Sequence, residues 1–266
     1  MATGADAQRS VSVLVTRPAG AAAEALCEVL HGAGYTAHSL PLLELEPLQE
    51  LPYPQRRMAL ELDAYQHVIF VSANAVRFGM ECFDDFWPQL PVGPDWYAVG
   101  DATAKLLAGY GVDAHTPGSR MSSEGLLDLP PLQAVSGQRV LIVKGEGGRG
   151  MLRRELARRG ARVDQLACYR RRRPRLAAGE LASLLARWEI EVIMVSSGEG
   201  LASLRELLSP AETSNFSHLC LIVPSERVAE LARNAGFDRI VTAENASDGA
   251  MLRALEESNP CHGEQK

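Results

Sequence analysis

The sequence carries the same three segments twice, in the same order. Val13–Gly20 (VLVTRPAG) and the helix-like residues up to Gly34 match Val140–Gly147 (VLIVKGEG) and the stretch up to Gly160. Val68–Phe78 (VIFVSANAVRF) matches Val192–Leu204 (VIMVSSGEGLASL). YAVGDATAKLLAGYGV, closing on Ser122–Gly125, matches LIVPSERVAELARNAGF, closing on Ala246–Gly249. A duplicated unit of this kind predicts two similar lobes facing one cleft, and ligand sites favour such junctions. The 266 residues suit two domains of about 100–130 residues each. A hydrophobic fraction of 46% gives each lobe a core of its own without staples.

Within each copy, short apolar runs end in polar turns and continue as helices. The runs are Val11–Val15, His67–Val71, Trp96–Val99, Arg139–Val143, Glu191–Val195 and Leu219–Val223. After the first of them, Ala21–His31 has helical spacing, and Gly32 and Gly34 stop it. Strand, loop and helix repeated six times predict an α/β fold of two lobes, each a parallel sheet flanked by helices. In such sheets ligands collect beyond the carboxyl ends of the strands. The loops there start at Thr16, Ser72, Gly100, Lys144, Ser196 and Pro224. They are rich in hydroxyls, glycines and bases, which bind anions through O–H, N–H and helix N-termini. Two segments break the pattern, Ala37–Leu48 with Pro41 and Pro47, and Gln165–Pro174. Both read as extended edge strands or connectors at the lobe junction.

Several classes are disfavoured. A net charge of −6 and a pI near 5.6 argue against broad binding to nucleic acid or an anionic membrane. A locally positive cleft for a small anion remains compatible. Cys27, Cys82, Cys168, Cys220 and Cys261 form no C-x-x-C pair, and their odd number fits no closed disulfide framework, so a reducing compartment is expected. The N-terminus lacks a signal-peptide pattern and no run approaches the ~20 apolar residues of a membrane span, so the expected location is cytoplasmic. The histidines form no ligand pair, and no metal site is expected. Gly145–Gly150 (GEGGRG) is out of register for a dinucleotide fingerprint, and Lys144 precedes the glycines, so it is no Walker loop; it reads as a flexible anion-binding turn. Ser196-Ser197-Gly198 is no nucleophile elbow. Arg170–Arg173 with Arg175 is either a solvated strand and turn or the source of one or two arginines for an acidic ligand, since alternate side chains take opposite faces. An enzyme and a non-catalytic two-lobe receptor for an anion both fit these features; a nucleotide-dependent regulator finds no matching loop.

Taken together, Thr16-Arg17-Pro18, FVSANAV (Phe70–Val76), VGDATA (Val99–Ala104), Arg149 ahead of a helix ending Arg159-Gly160, and Cys168-Tyr169-Arg170 form an ordered set. VSSGEGL (Val195–Leu201), PSERVAELARNAGF (Pro224–Phe237) and AENASDGAML (Ala243–Leu252) extend it. In order and spacing the chain resembles the uroporphyrinogen-III synthases, from about Val11 to about Leu255. The resemblance implies two α/β lobes joined by a two-stranded antiparallel connector, with the first strand unit joining the C-terminal half. One lobe is then 1–38 with 173–266, the other 49–164, and the connecting strands are 39–48 and 165–172. A monomer is expected because no long apolar exposed stripe argues for an obligate dimer. The resemblance further implies an enzyme that uses no cofactor and no metal. Its small-molecule substrate is hydroxymethylbilane, a linear tetrapyrrole with eight carboxylates, closed to uroporphyrinogen III with loss of water and inversion of ring D.

The same resemblance implies site residues. Tyr169 matches the family's cleft tyrosine and is expected to protonate the leaving hydroxyl, since a phenol of ordinary pKa (about 10) is protonated at neutral pH. The alternative is a junction tyrosine that packs and hydrogen-bonds a carboxylate. Thr103 matches a position at a helix start over the cleft. Ser72, Ser197 and Ser225 begin helices at equivalent points and, with Ser247, are expected to receive acetate or propionate groups as well as to cap. Arg17, Lys144 and Arg149 are the candidates for anchoring carboxylates. Asn245-Ala246-Ser247-Asp248 lacks the proline many relatives carry, and Asp248 is expected to cap the helix that follows.

Overall fold

The computed structural model describes residues 10–48, 50–118, 120–148 and 150–258. Its strands are β1 (Ser12–Val15), β2 (Thr36–Ser39), β3 (Glu44–Pro47), β4 (His67–Phe70), β5 (Asp95–Ala98), β6 (Ala114–His115), β7 (Arg139–Gly145), β8 (Arg162–Arg172), β9 (Val192–Met194), β10 (Cys220–Val223) and β11 (Arg239–Thr242). Its helices are α1 (Ala21–Gly32), α2 (Tyr53–Leu60), α3 (Ala73–Asp84), α4 (Asp101–Gly109), α5 (Ser123–Leu127), α6 (Pro130–Gln133), α7 (Met151–Arg158), α8 (Glu180–Arg187), α9 (Gly198–Leu207), α10 (Pro210–Asn215), α11 (Glu226–Asn234) and α12 (Asp248–Ser258). Chain contacts divide them into two compact units, one running to Glu44 and resuming at Arg172, the other spanning Leu45–Arg171.

Each unit is an α/β layer structure. The first holds a five-stranded sheet in the order β11-β10-β9-β1-β2, with every neighbouring pair parallel. The second holds a six-stranded sheet, β3-β8-β7-β4-β5-β6, parallel from β8 to β6. The duplicated segments occupy equivalent places: β1 lies between β9 and β2 as β7 lies between β4 and β8. The first segment of each copy therefore pairs with the second segment of the other copy and shares a sheet with its third.

The inner strands are buried on both faces, which is why they read as largely apolar runs rich in Val and Ile rather than alternating ones. In the second unit Val68, Phe70, Leu141 and Val143 meet α3 on one face. Ile69, Val140 and Ile142 face the opposite way, toward Leu126, Leu152 and Leu156. α3 comes close because Gly79 has no side chain; a Cβ there would lie 2.7 Å from Val143 Cγ1 and 3.0 Å from Phe70. Sequence pattern alone passes over β6 and β11, two short edge strands without an apolar run. The extended segment Ala37–Leu48 is broken at Leu40–Leu43, giving β2 in one sheet and β3 in the other. Among the described residues no helix is long and apolar enough to cross a membrane.

Candidate functional site

In the second unit, parallel pairing sets the carboxyl ends of β4, β5, β7 and β8 along one edge of the sheet. The chain there carries Ser72, Gly100, Lys144–Gly148 and Arg171. A cavity of about 240 Å³ opens among Val71, Ser123, Lys144, Gly147, Gly148, Leu152, Gln165 and Arg171. Two cations line it, and no carboxylate is among its described lining residues. Burial, and then the neighbouring Arg171 charge, hold the half-buried Lys144 ammonium below the usual lysine range. A guest anion relieves that repulsion. Gly147 and Gly148 take φ of +71° and +81°, a conformation that glycine adopts without strain. Neither glycine puts a Cβ atom at the cavity rim. The volume is below that of a drug-sized ligand pocket, so it suits one acidic arm of a larger molecule.

Beside the cavity lies Tyr169, placed by a β-bulge. β7 and β8 pair Lys144 with Ala167 and then Gly145 with Tyr169, leaving Cys168 as the extra residue. Strict alternation would send Cys168 and Tyr169 to opposite faces; the bulge puts Leu166, Cys168 and Tyr169 all in the α3 core. The tyrosine is fully buried, with its ring stacked on Phe78 at 5.0 Å. Its hydroxyl lies 3.4 Å from Ser72 Oγ and 3.4 Å from the Arg171 guanidinium. It is not itself among the residues lining the cavity, whereas Arg171 is. Ser72 is the N-cap of α3 and accepts from the Ala75 N–H at 3.1 Å, which leaves its own proton available to a third group. Thr103, in the first turn of α4, is 5% exposed and offers little surface to a ligand. Arg149 lies outside the described residues.

The corresponding strand ends of the first unit are used differently. Arg17 is buried, and its donors go to groups of its own unit: Ser196 Oγ at 3.2 Å, Ala22 O at 3.0 Å, Ala246 O at 2.5 Å and the Asp248 carboxylate. Its guanidinium locks the loop before α12 rather than reaching out for a ligand. Asp248 is correspondingly taken up by Arg17, and α12 is capped instead by Ser247, whose Oγ accepts from the Ala250 N–H at 3.4 Å. Asn245 Oδ1 accepts from Ser247 N at 2.8 Å and shapes that turn without a proline. Ser197 caps α9 through Gly200 N at 3.1 Å. Ser225 stands at the same point before α11 but makes no side-chain cap bond, so its hydroxyl is uncommitted to the helix.

Of the sequence-derived candidates, the structure brings Ser72 and Tyr169 together, with Lys144 in the adjoining cavity. Arg171 was visible only as one of a run of arginines. Gly145, the residue under the Tyr169 ring, was visible only as the first glycine of a turn.

A family model for uroporphyrinogen-III synthase HemD matches residues 24–253. The uroporphyrinogen-III synthase of Salmonella typhimurium is 38% identical over 251 residues, covering 92% of this chain and 100% of the relative. That of Escherichia coli is 37% identical over 251 residues with the same coverage. A uroporphyrinogen-III synthetase structure from Helicobacter pylori superposes with a TM-score of 0.62 at 15% identity, covering 93% of this chain and 99% of that one. A mutant uroporphyrinogen III synthase from Thermus thermophilus gives 0.60 at 21% identity, covering 94% and 98%, and so shares the fold. With the family model spanning nearly every element and two relatives matched over their full length, the chain belongs to the uroporphyrinogen-III synthase family.

Proposed function

We propose that this protein closes hydroxymethylbilane to uroporphyrinogen III, losing water and inverting ring D, as a cyclising hydro-lyase of tetrapyrrole (haem) biosynthesis. The observation that carries this reading to the residue level is the cavity lined by Lys144 and Arg171, with no carboxylate among its described lining residues, beside the Ser72–Tyr169 hydroxyl pair. The first suits a carboxylate arm of the substrate, and the second suits proton delivery to its hydroxyl. Each charge-assisted hydrogen bond to a carboxylate contributes about 1.5–3 kcal/mol, so a polyacid is held by many modest contacts. Lys144, Arg171 and the hydroxyls of Ser197, Ser225 and Ser247 are the groups we assign to carboxylates, each within its own unit.

Because Tyr169 is buried, its proton reaches the substrate through Ser72. Tyr169 donates to Ser72 Oγ as Ser72 donates to the departing hydroxyl, which leaves as water and creates an azafulvenium cation. The substituted carbon of ring D attacks that cation, a spiro intermediate fragments, and reclosure inverts the ring. The proton lost when the pyrrole regains aromaticity returns to the Tyr169 oxygen, so the enzyme ends unchanged. The protein's contribution is orientation and protection of the cation. The protein acts as a cytoplasmic monomer, on a small molecule rather than on nucleic acid or membrane.

The test supplies freshly generated hydroxymethylbilane and resolves isomers I and III after oxidation. Isomer III in excess is the expected result. Isomer I alone at the spontaneous rate, with substrate retained by the protein, would make it a binding protein instead.

A further inference from the structure

Gly145 ends β7 directly beneath the ring of Tyr169. A Cβ built on it would stand 2.6 Å from Tyr169 Cζ, 2.7 Å from Cε2 and 3.1 Å from the hydroxyl. No real Cβ contact is that short, and an aromatic ring cannot fold aside as the end of a flexible chain does. The usual reason for glycine is missing here, since Gly145 is not among the residues with positive φ. What this position excludes is therefore a side chain, not a backbone conformation. The ring is confined from the other side by Phe78, stacked at 5.0 Å with an interplanar angle of 28°. The bulge at Cys168 supplies the third constraint, by turning Tyr169 onto the face where Gly145 and Phe78 form a slot.

We infer that Gly145 is a positioning residue for the reaction: its bare backbone and Phe78 form a slot that holds the Tyr169 hydroxyl beside Ser72 and Arg171. The inference rests on the proposed role of Tyr169 as proton source. At 3.4 Å the Tyr169–Ser72 contact is already at the long end of a hydrogen bond. A methyl group at Gly145 must displace the ring, and a further shift of about 1 Å breaks the relay; misplacement on that scale costs roughly 100-fold in rate.

The experiment is a double-mutant cycle in kcat with Gly145→Ala and Tyr169→Phe. Gly145→Ala should lower kcat by about 10–100-fold with KM changed less than about 3-fold. In the Tyr169→Phe background it should lower kcat no further, because there is no hydroxyl left to misplace. Phe78→Leu opens the other side of the slot and should show the same loss and the same silence in the Tyr169→Phe background; it stands in if Gly145→Ala does not fold. Losses that multiply with that of Tyr169→Phe, or a wild-type kcat in Gly145→Ala, would overturn the inference while leaving the tyrosine's role intact. A near-normal kcat in Tyr169→Phe alone would overturn the role of the tyrosine, and the inference with it.

Discussion

Arg17 and Asp248 form an ion pair that ties the loop after β1 to the first residue of α12, although the two lie at nearly opposite ends of the chain. The guanidinium is 10% exposed and the carboxylate 36%, and the remaining guanidinium donors meet Ser196 and two backbone carbonyls. Removing Asp248 leaves a buried cation with one partner fewer. Breaking a buried pair costs about 3–5 kcal/mol, and the partial exposure of Asp248 reduces that to about 1–3 kcal/mol for Asp248→Ala. Urea unfolding checks the value. Arg17→Met combined with Asp248→Leu should recover part of the loss, because no orphaned charge then remains.

Lys144 gives a pH signature. Its folded pKa is depressed by burial and by Arg171, so the folded protein releases this proton at lower pH than the unfolded chain does. Between the folded value and the ordinary lysine value the unfolded state binds more protons, and stability rises with pH across that window. Substrate affinity moves the other way, since a neutral amine no longer attracts a carboxylate. Lys144→Met should remove both slopes, leave stability at neutral pH undiminished, and raise KM by roughly 10-fold or more. KM and urea midpoints between pH 7 and 10 read both slopes; a large loss of stability in Lys144→Met at neutral pH would contradict the assignment.

The serines that open α9 and α11 should separate. Ser197 caps its helix, and Ser197→Ala should cost about 1 kcal/mol of stability. Ser225 makes no cap bond, so Ser225→Ala should be close to neutral in unfolding. A raised KM in Ser225→Ala then reports a lost substrate contact directly, without a folding defect to subtract.

The thiols differ in reactivity for a reason visible in the second unit. The neighbouring Cys82 thiol, then burial, pushes the Cys168 thiol up, whereas Cys168 brings the half-buried Cys82 down. Alkylation follows the thiolate. Peptide-resolved mass spectrometry after brief iodoacetamide treatment at pH 8 should find Cys82 labelled well before Cys168, and Cys168 labelled only on unfolding. Equal labelling of the two would remove the proposed asymmetry.

The alternation of strand and helix was legible because a parallel strand covered on both faces must be apolar throughout, as in Val13–Val15 and Val192–Met194. Arg239–Thr242 escaped notice because an edge strand buries only part of itself and reads as Arg-Ile-Val-Thr after a loop. The site was legible at Ser72, Lys144 and Tyr169, whose residue types sit where strands give way to helices. What could not be read was direction. The bulge at Cys168 reverses the face that alternation assigns to Tyr169, and no residue announces it. The partner of Arg17 was equally hidden: Asp248 looks like a helix cap locally, and only the folded sheet brings it to the guanidinium.

The exchanged strands also set a timetable for synthesis. β1 pairs Val13 with Val192, so on that side it must wait for a neighbour encoded some two-thirds of the chain later. At translation rates of about 5–20 residues per second that delay is on the order of 10–40 s. The unit Leu45–Arg171 is contiguous and can form during the wait, while Val11–Val15 has only β2 to pair with until β9 emerges. Nascent-chain aggregation, and any need for a chaperone, should therefore concentrate at the β9-facing edge of β1.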